Sequence, residues 1–356
     1  EPELLLESAE NKIPTSISPD GRYLLYFSRN QRTNADIWLL PLDTRKPQPF
    51  LMSEFEETLG VFSPDGKWVA YVVTSADRGE DEVIVLEPCY DSYVPNIELA
   101  GGVVVRVPLT PGTFRRDFDK IAAAITPKTR AMLINSPHNP SGMVWTREEM
   151  LRLQEILDPT SVLLISDEVY EHMVYAPMQH WSAAQFEGLA ARAFIVSSFG
   201  KTFHVTGWKV AFIAAPTTLM KEFRKVHQFN VFTVNSPMQY GIASFMQNPQ
   251  RYLSLPDFYQ AKRDLFRAGL ATIPFKLLPC EGSYFQCVDY SALPRKEAQL
   301  SEADFCRWLT TELGVAAIPN SAFYAKQTES GVVRFCFAKE DRTLQTALER
   351  LQALSN

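Results

Sequence analysis

The chain has 356 residues, 46% apolar and 21% charged, with a formal net charge of −6. That is ordinary globular composition, and an acidic balance without a run of five or six like charges argues against nucleic acid or an anionic membrane surface as the main partner. No apolar stretch approaches the ~18 residues of a membrane span, and "EPELLLESAE" lacks the layout of a signal peptide, so a cytoplasmic location is expected. The five cysteines, Cys89, Cys280, Cys287, Cys306 and Cys336, are odd in number and form no Cys-x-x-Cys, which predicts reduced, mostly buried thiols. No two of the five histidines have the i, i+4 spacing of a helical zinc site, so no metal centre is expected.

Residues 1–78 carry a repeat. "SPDGRYLLYFS" starts at Ser18 and "SPDGKWVAYVV" at Ser63, 45 residues later. Pro presets φ, Asp bonds its own backbone and Gly takes positive φ, so each copy reads as a tight turn followed by a strand. A second strand, "ADIWLLPL", follows the first copy. The two copies resemble TolB-like β-propeller repeats, against the plainer reading of two unrelated hairpins. Two blades cannot close a propeller. The segment would therefore pack on the rest of the chain or stay loosely ordered.

From Asp81 the pattern changes. "EVIVLE", "VVVRV", "AMLINS", "VLLISDE", "AFIVSS" and "KVAFIAA" are short apolar runs, most of them separated by helix-like segments. One such segment is 146–157, opened by Thr146 and Glu149 as a capping box. The alternation predicts an α/β domain over 79–273, a mostly parallel sheet flanked by helices. After residue 274 the strands thin into a smaller α+β domain, 274–356, with amphipathic helices near 301–313 and 340–354.

In such sheets, ligands bind beyond the carboxyl ends of the strands. Those ends deliver Tyr90 in "EVIVLEPCYDSY", Asn139 in "AMLINSPHNPSG", Asp167 and Tyr170 in "VLLISDEVY", and Ser198 and Lys201 in "AFIVSSFGK". Together with "TGWK", "LPDFY", "CEGSYF", "GVAAIP" and "VRFCFAK", these motifs resemble a fold-type I, class I aminotransferase dependent on pyridoxal phosphate, of the methionine and kynurenine type. The resemblance covers 79–356.

It implies a role for each residue. Lys201 would form the Schiff base with the cofactor and shuttle the α-proton. Asp167 would keep the pyridine nitrogen protonated. Tyr170 and Asn139 would hydrogen-bond the ring hydroxyl, and Tyr90 would stack on the ring. Ser198 and Lys209 would bind the phosphate, with Lys209 as a point charge lacking a guanidinium fork. Arg334, with help from Asn139, would clamp the substrate carboxylate. Duller rivals exist for several of these: a helix cap for Asp167, core packing for Tyr90, a turn hydroxyl for Ser198, a solvated lysine at 209 and a surface ion pair for Arg334. His204 reads as packing beside the lysine loop, and the aromatics of 226–235 as helix core or pocket wall.

The implied reaction transfers an amino group from a methionine-like, aromatic or glutamine-like L-amino acid to a 2-oxo acid. A cysteine-conjugate β-lyase and a non-catalytic fusion with an interaction module are the alternatives. Relatives of this kind are dimers, which makes a homodimer conceivable. The resemblance begins mid-domain, so a phosphate-binding loop at a helix start is expected to be missing, with cofactor binding and turnover weakened.

Overall fold

The computed structural model describes residues 4–6, 11–30, 34–53, 56–74, 81–326 and 328–355. The chain divides into two compact units, Glu1–Glu80 and Asp81–Asn356.

In the first unit, strands β1 (Lys12–Ile17), β2 (Tyr23–Asn30), β3 (Asn34–Pro41) and β4 (Gln48–Leu51) pair antiparallel in that order. Strands β5 (Glu56–Phe62) and β6 (Val69–Thr74) form a hairpin. The two Ser-Pro-Asp-Gly copies build the same turn. Ser18 Oγ donates to Asp20 at 2.7 Å and accepts from Tyr23 N at 2.9 Å; Ser63 Oγ donates to Asp65 at 2.6 Å and accepts from Trp68 N at 3.0 Å. Gly21 and Gly66 close the turns at φ 69° and 71°, a conformation glycine reaches without a Cβ clash. Strand β5 meets β1 through side chains, with Thr15 Oγ1 donating to the Gly60 carbonyl at 2.6 Å. Where matching propeller repeats were expected, the first copy lies in a four-stranded sheet and the second in a two-stranded hairpin. The turn motif fixes only a local bend; strand number depends on partners further along the chain. The junction expected near residue 78 falls on 75–80, outside the described residues.

The second unit contains β7 (Glu82–Glu87), β8 (Val103–Pro108), β9 (Thr129–Asn135), β10 (Leu163–Asp167), β11 (Ala193–Ser198) and β12 (Ala211–Ala214), in the order β12-β11-β10-β9-β7-β8. All pairings are parallel except β11 with β12. Side chains alternate across the strands. Ile84 and Leu86 join Met132, Ile134 and Leu164 under the helix Arg147–Leu157, while Val85 and Leu133 face Tyr93, Val94 and Ile97 from the helix Tyr93–Leu99. The capping box forms as the sequence suggested: Thr146 Oγ1 accepts from Glu149 N, and Glu149 Oε2 accepts from Thr146 N.

A second sheet, in the order β13-β14-β16-β15, comprises β13 (Lys276–Leu277), β14 (Phe285–Asp289), β15 (Ile318–Pro319) and β16 (Val332–Cys336), all antiparallel. Helices Leu255–Leu270, Glu302–Glu312 and Asp341–Leu351 pack on it, with Tyr290 and Phe305 stacked at 3.9 Å. Glu302, fully buried, accepts from Ser321 N, Ser330 N and Oγ, and Val332 N at 2.5–3.1 Å. All five cysteines are free thiols, four of them buried. Among the described residues, no helix is long and apolar enough to cross a membrane. The aromatics of 226–235 are neither core nor pocket wall: the helix Thr217–Asn230 buries none of its residues, and Phe229 and Phe232 are 84% and 80% exposed.

Candidate active site

The carboxyl ends of β9, β10 and β11 lie side by side, because the strands are parallel and in register. Asp167 ends β10 beside Asn135 of β9 and Val196 of β11. Its backbone carbonyl accepts from Asn135 Nδ2 at 2.9 Å and Ser136 N at 3.0 Å, which fixes the residue in place. Its carboxylate accepts from Val169 N through Oδ1 at 3.1 Å and from the Tyr93 hydroxyl through Oδ2 at 2.5 Å. Burial raises its pKa; the Tyr93 and Val169 hydrogen bonds and the Lys201 charge oppose that shift.

Lys201 comes from the short helix Phe199–Thr202 that follows β11. Ser198 caps this helix: its Oγ accepts from Gly200 N at 3.1 Å and donates to the Val210 carbonyl at 3.4 Å. Gly200 packs tightly: a Cβ there would lie 3.0 Å from Thr206 Cα, so a larger residue would have to push that turn outward. The Lys201 ammonium sits 5.9 Å from the centre of the Tyr170 ring. Tyr170 is buried, edge-on to Tyr284 and Phe285. Tyr90 is 41% exposed and meets Tyr93 edge-on at 5.5 Å. Lys209 is exposed, with its backbone left-handed at φ 55°. His204 Nε2 faces the Tyr259 hydroxyl at 3.4 Å.

Arg334 lies in β16, between β14 and β15. Its guanidinium is stacked between Phe285 at 3.9 Å and Phe323 at 4.7 Å, and Nη1 donates to Asn139 Oδ1 at 2.5 Å. Burial is the main cause that lowers its pKa, and its Nε is buried without a hydrogen-bond partner. A planar cation held between two rings presents its edge, the geometry that suits a carboxylate. Phe285 touches both Tyr170 and Arg334 and so links the lysine end of the site to the arginine end.

Several contributors were not singled out from sequence. Tyr93 lies three residues past Tyr90 in the same "PCYDSY". Asn135 ends "AMLINS" but carried no signal beyond that place. Glu168 is held by His180 Nε2 at 2.9 Å, Ser166 Oγ at 2.8 Å and Ala183 N at 3.0 Å. Phe285 and Phe323 have nothing in sequence to separate them from core aromatics.

An amine and a half-buried carboxylate at the carboxyl edge of a mostly parallel sheet, with a stacked arginine reaching them from the antiparallel sheet through Asn139, are groups suited to an α/β enzyme of amino-acid chemistry. The chain belongs to the aminotransferases of class I and II, whose family profile matches residues 58–351. That match starts within β5, upstream of residue 79, where the sequence placed the start of the resemblance. Methionine aminotransferase of Escherichia coli (strain K12) is 45% identical over 283 residues, covering 79% of this chain and 72% of the relative. Kynurenine–oxoglutarate transaminase 1 of Homo sapiens is 35% identical over 305 residues, covering 78% and 72%. Among solved structures, an E. coli protein with a methionine aminotransferase function superimposes with a TM-score of 0.74 at 45% identity, covering 78% and 72% of the two chains. N-Succinyldiaminopimelate aminotransferase from Mycobacterium tuberculosis gives 0.72 at 38% identity, covering 77% and 71%. Aminotransferases of this family use pyridoxal phosphate, and the chain is an enzyme of that family.

Proposed function

We propose that the chain moves the amino group of an L-amino acid, of the methionine, aromatic or glutamine-like class, onto a 2-oxo acid with pyridoxal phosphate as cofactor. The observation that carries the reading is the Lys201 amine and the half-buried Asp167 carboxylate at neighbouring strand ends of one sheet. The 45% identity to a methionine aminotransferase supports the substrate class.

The donor set fits the cofactor. A carboxylate has about four lone-pair positions; Tyr93 and Val169 engage two, and the rest can face a ring N–H. An amine suits an aldehyde, and a hydroxyl with an ammonium suits a phosphate. Bound there, the cofactor supplies an electron-poor ring that stabilises negative charge at the substrate α-carbon.

Lys201 Nζ is the attachment point and carries the proton taken from that carbon. Asp167 keeps a proton on the ring nitrogen. Tyr170 and Asn139 address the ring hydroxyl, and Tyr90 lies against the ring face. Ser198 and Lys209 hold the phosphate, and Arg334 with Asn139 takes the substrate carboxylate. The phosphate grip is weak in this reading, because Lys209 is exposed and Ser198 Oγ is already engaged by Gly200 and Val210. The domain limits 1–78, 79–273 and 274–356 belong to the same proposal, as does a homodimer, which the exposed Phe229, Phe232 and Tyr240 support.

The test is the absorbance spectrum of the purified chain titrated with pyridoxal phosphate, beside Lys201→Ala. A visible band in the wild type that fades on adding methionine, and that Lys201→Ala lacks, is the expected result. A wild type without a band at saturating cofactor refutes the reading.

A further inference from the structure

We propose that Glu168, Glu171 and His180 form a binding site for one divalent ion of the zinc class, on the face of the sheet opposite the candidate active site. The proposal does not depend on the functional reading above.

The alternation of β10 sets the site apart. Asp167 shares a face with Ile165 and Tyr93. Ser166 and Glu168 take the other face, where Ser166 Oγ and Ala183 N donate to Glu168 Oε1 at 2.8 and 3.0 Å. Glu171 follows in the turn after β10, and His180 precedes the 3₁₀ turn Ala183–Gln185. The i, i+4 spacing that argued against a helical zinc pair does not bear on donors carried by loops.

One ligand atom of each residue lies within 4.8 Å of those of the other two. His180 Nε2 and Glu168 Oε2 are 2.9 Å apart. Two donors on a tetrahedral zinc ion, at bonds of about 2.0–2.1 Å, stand about 3.3 Å apart, so the pair opens by roughly 0.4 Å as the ion replaces the proton between them. The supporting hydrogen bonds leave the right atoms to the ion. Ser166 and Ala183 take Glu168 Oε1, and the buried Ser197 of β11 donates to Glu171 Oε1 at 2.6 Å, so each carboxylate keeps its second oxygen for a metal. His180 Nδ1 is buried without a hydrogen-bond partner, so hydrogen bonding does not by itself satisfy this ring.

Charge points the same way. Burial pushes the Glu168 pKa up, but His180 and the bonds from Ala183 and Ser166 outweigh it and hold the group below the ordinary glutamate value. Among the described residues, neither carboxylate has a lysine or arginine ion-pair partner. His172, beside Glu171 and His180, has its pKa lowered mainly by burial and stays neutral. Two carboxylates against one imidazole leave negative charge that a dication neutralises. One nitrogen donor with two oxygen donors suits Zn²⁺ better than Mg²⁺, which takes oxygen alone. Glu171 also lines a cavity of about 180 Å³ with His172, Ser197 and Tyr252, which gives the ion a path in and room for water as a further ligand. Once bound, the ion ties the segment that carries Tyr170 to β11, the strand that leads into the Lys201 helix.

The experiment is a titration of the full chain, stripped of metal with a chelator, with Zn²⁺ by calorimetry and with Co²⁺ by visible absorbance. A Cys336→Ser background removes the one exposed thiol among the described residues. The parent is expected to take up one equivalent, with Co²⁺ bands of nitrogen and oxygen ligands and a raised melting temperature. Glu171→Gln keeps the Ser197 bond and His180→Gln keeps a donor to Glu168; each loses at least about a hundredfold in affinity, and Ser197→Ala loses about ten- to a hundredfold. A parent without saturable Zn²⁺ uptake overturns the proposal. So does uptake that either folded glutamine variant leaves unchanged, because the ion then sits elsewhere. If His180→Gln does not fold, Glu171→Gln, at a half-buried residue, carries the test.

Discussion

Arg334→Lys keeps the positive charge and removes the plane and the fork. In the structure the guanidinium has three attachments: Phe285 at 3.9 Å, Phe323 at 4.7 Å and Asn139 at 2.5 Å. Against a carboxylate, a lysine offers one good hydrogen bond where the fork offers two, a loss of roughly 1.5–3 kcal/mol for a bond between charged groups. The flat stacking on two rings adds about 0.5–1 kcal/mol. The sum, about 2–4 kcal/mol, is a fall of roughly 30- to 900-fold in kcat/KM at 1.36 kcal/mol per decade. In the proposed function the carboxylate is bound both before and during reaction, so most of the change is expected in KM rather than kcat. Steady-state transamination of methionine, with a thermal melt as control, measures both. A folded variant within threefold of wild-type kcat/KM refutes the reasoning, because the stacked fork would then contribute nothing to recognition.

Two further outcomes concern stability. His138 is buried with Nδ1 against Ser141 Oγ at 2.6 Å, and burial, aided by the charge of Arg116, depresses its pKa from 6.5 to about 3. The unfolded chain binds a proton between those values and the folded chain does not. The contribution is therefore complete above pH 6.5 and is lost as pH falls toward 3, at about 1.4 kcal/mol per unit; His138→Asn is expected to flatten urea-unfolding midpoints between pH 6.5 and 4.5, and a slope equal to wild type would exclude this source. Glu302→Gln turns an amide N–H₂ toward backbone donors that now meet a carboxylate. It is expected to destabilise by about 2–4 kcal/mol, read from the same midpoints at pH 7; a loss below about 1 kcal/mol would mean the loop re-pairs elsewhere.

The parallel strands and the site at their ends were legible because buried strands appear as uninterrupted apolar runs, and chemistry-bearing residues follow those runs directly. Asp167, Ser198 and Lys201 were singled out that way, and they lie at or just beyond the ends of β10 and β11. The direction of β12 was not. The 199–210 connection folds into a short helix and a 3₁₀ turn at the same sheet end, so the chain returns antiparallel without a crossover. Tyr93 was hidden because its partner lies two strands away, and sequence does not show which of two nearby tyrosines turns inward. Phe285 and Phe323 look like core residues until Arg334 is seen between them. The aromatics of 226–235 read as buried because hydrophobicity marks a face that prefers cover, whether or not cover is present. The repeated Pro-Asp-Gly stretches form the tight turns the sequence suggested, with Arg22 N and Lys67 N donating to the Asp20 and Asp65 carboxylates, while the serine bonds were not foreseen and the turns did not determine how many strands pair around each.

The Arg334–Asn139 hydrogen bond runs from β16 of the antiparallel sheet to the proline-flanked loop after β9 of the other. It is one of several ties between the two sheets, beside the Glu281 and Gly282 N–H groups on the Gly142 carbonyl, Cys89 N on the Phe323 carbonyl, and a core shared through Leu278, Cys287 and Val332. In the proposed function, a carboxylate that settles on the guanidinium must share or displace Asn139, so the ligand competes for one of those ties while the shared core keeps the sheets in place.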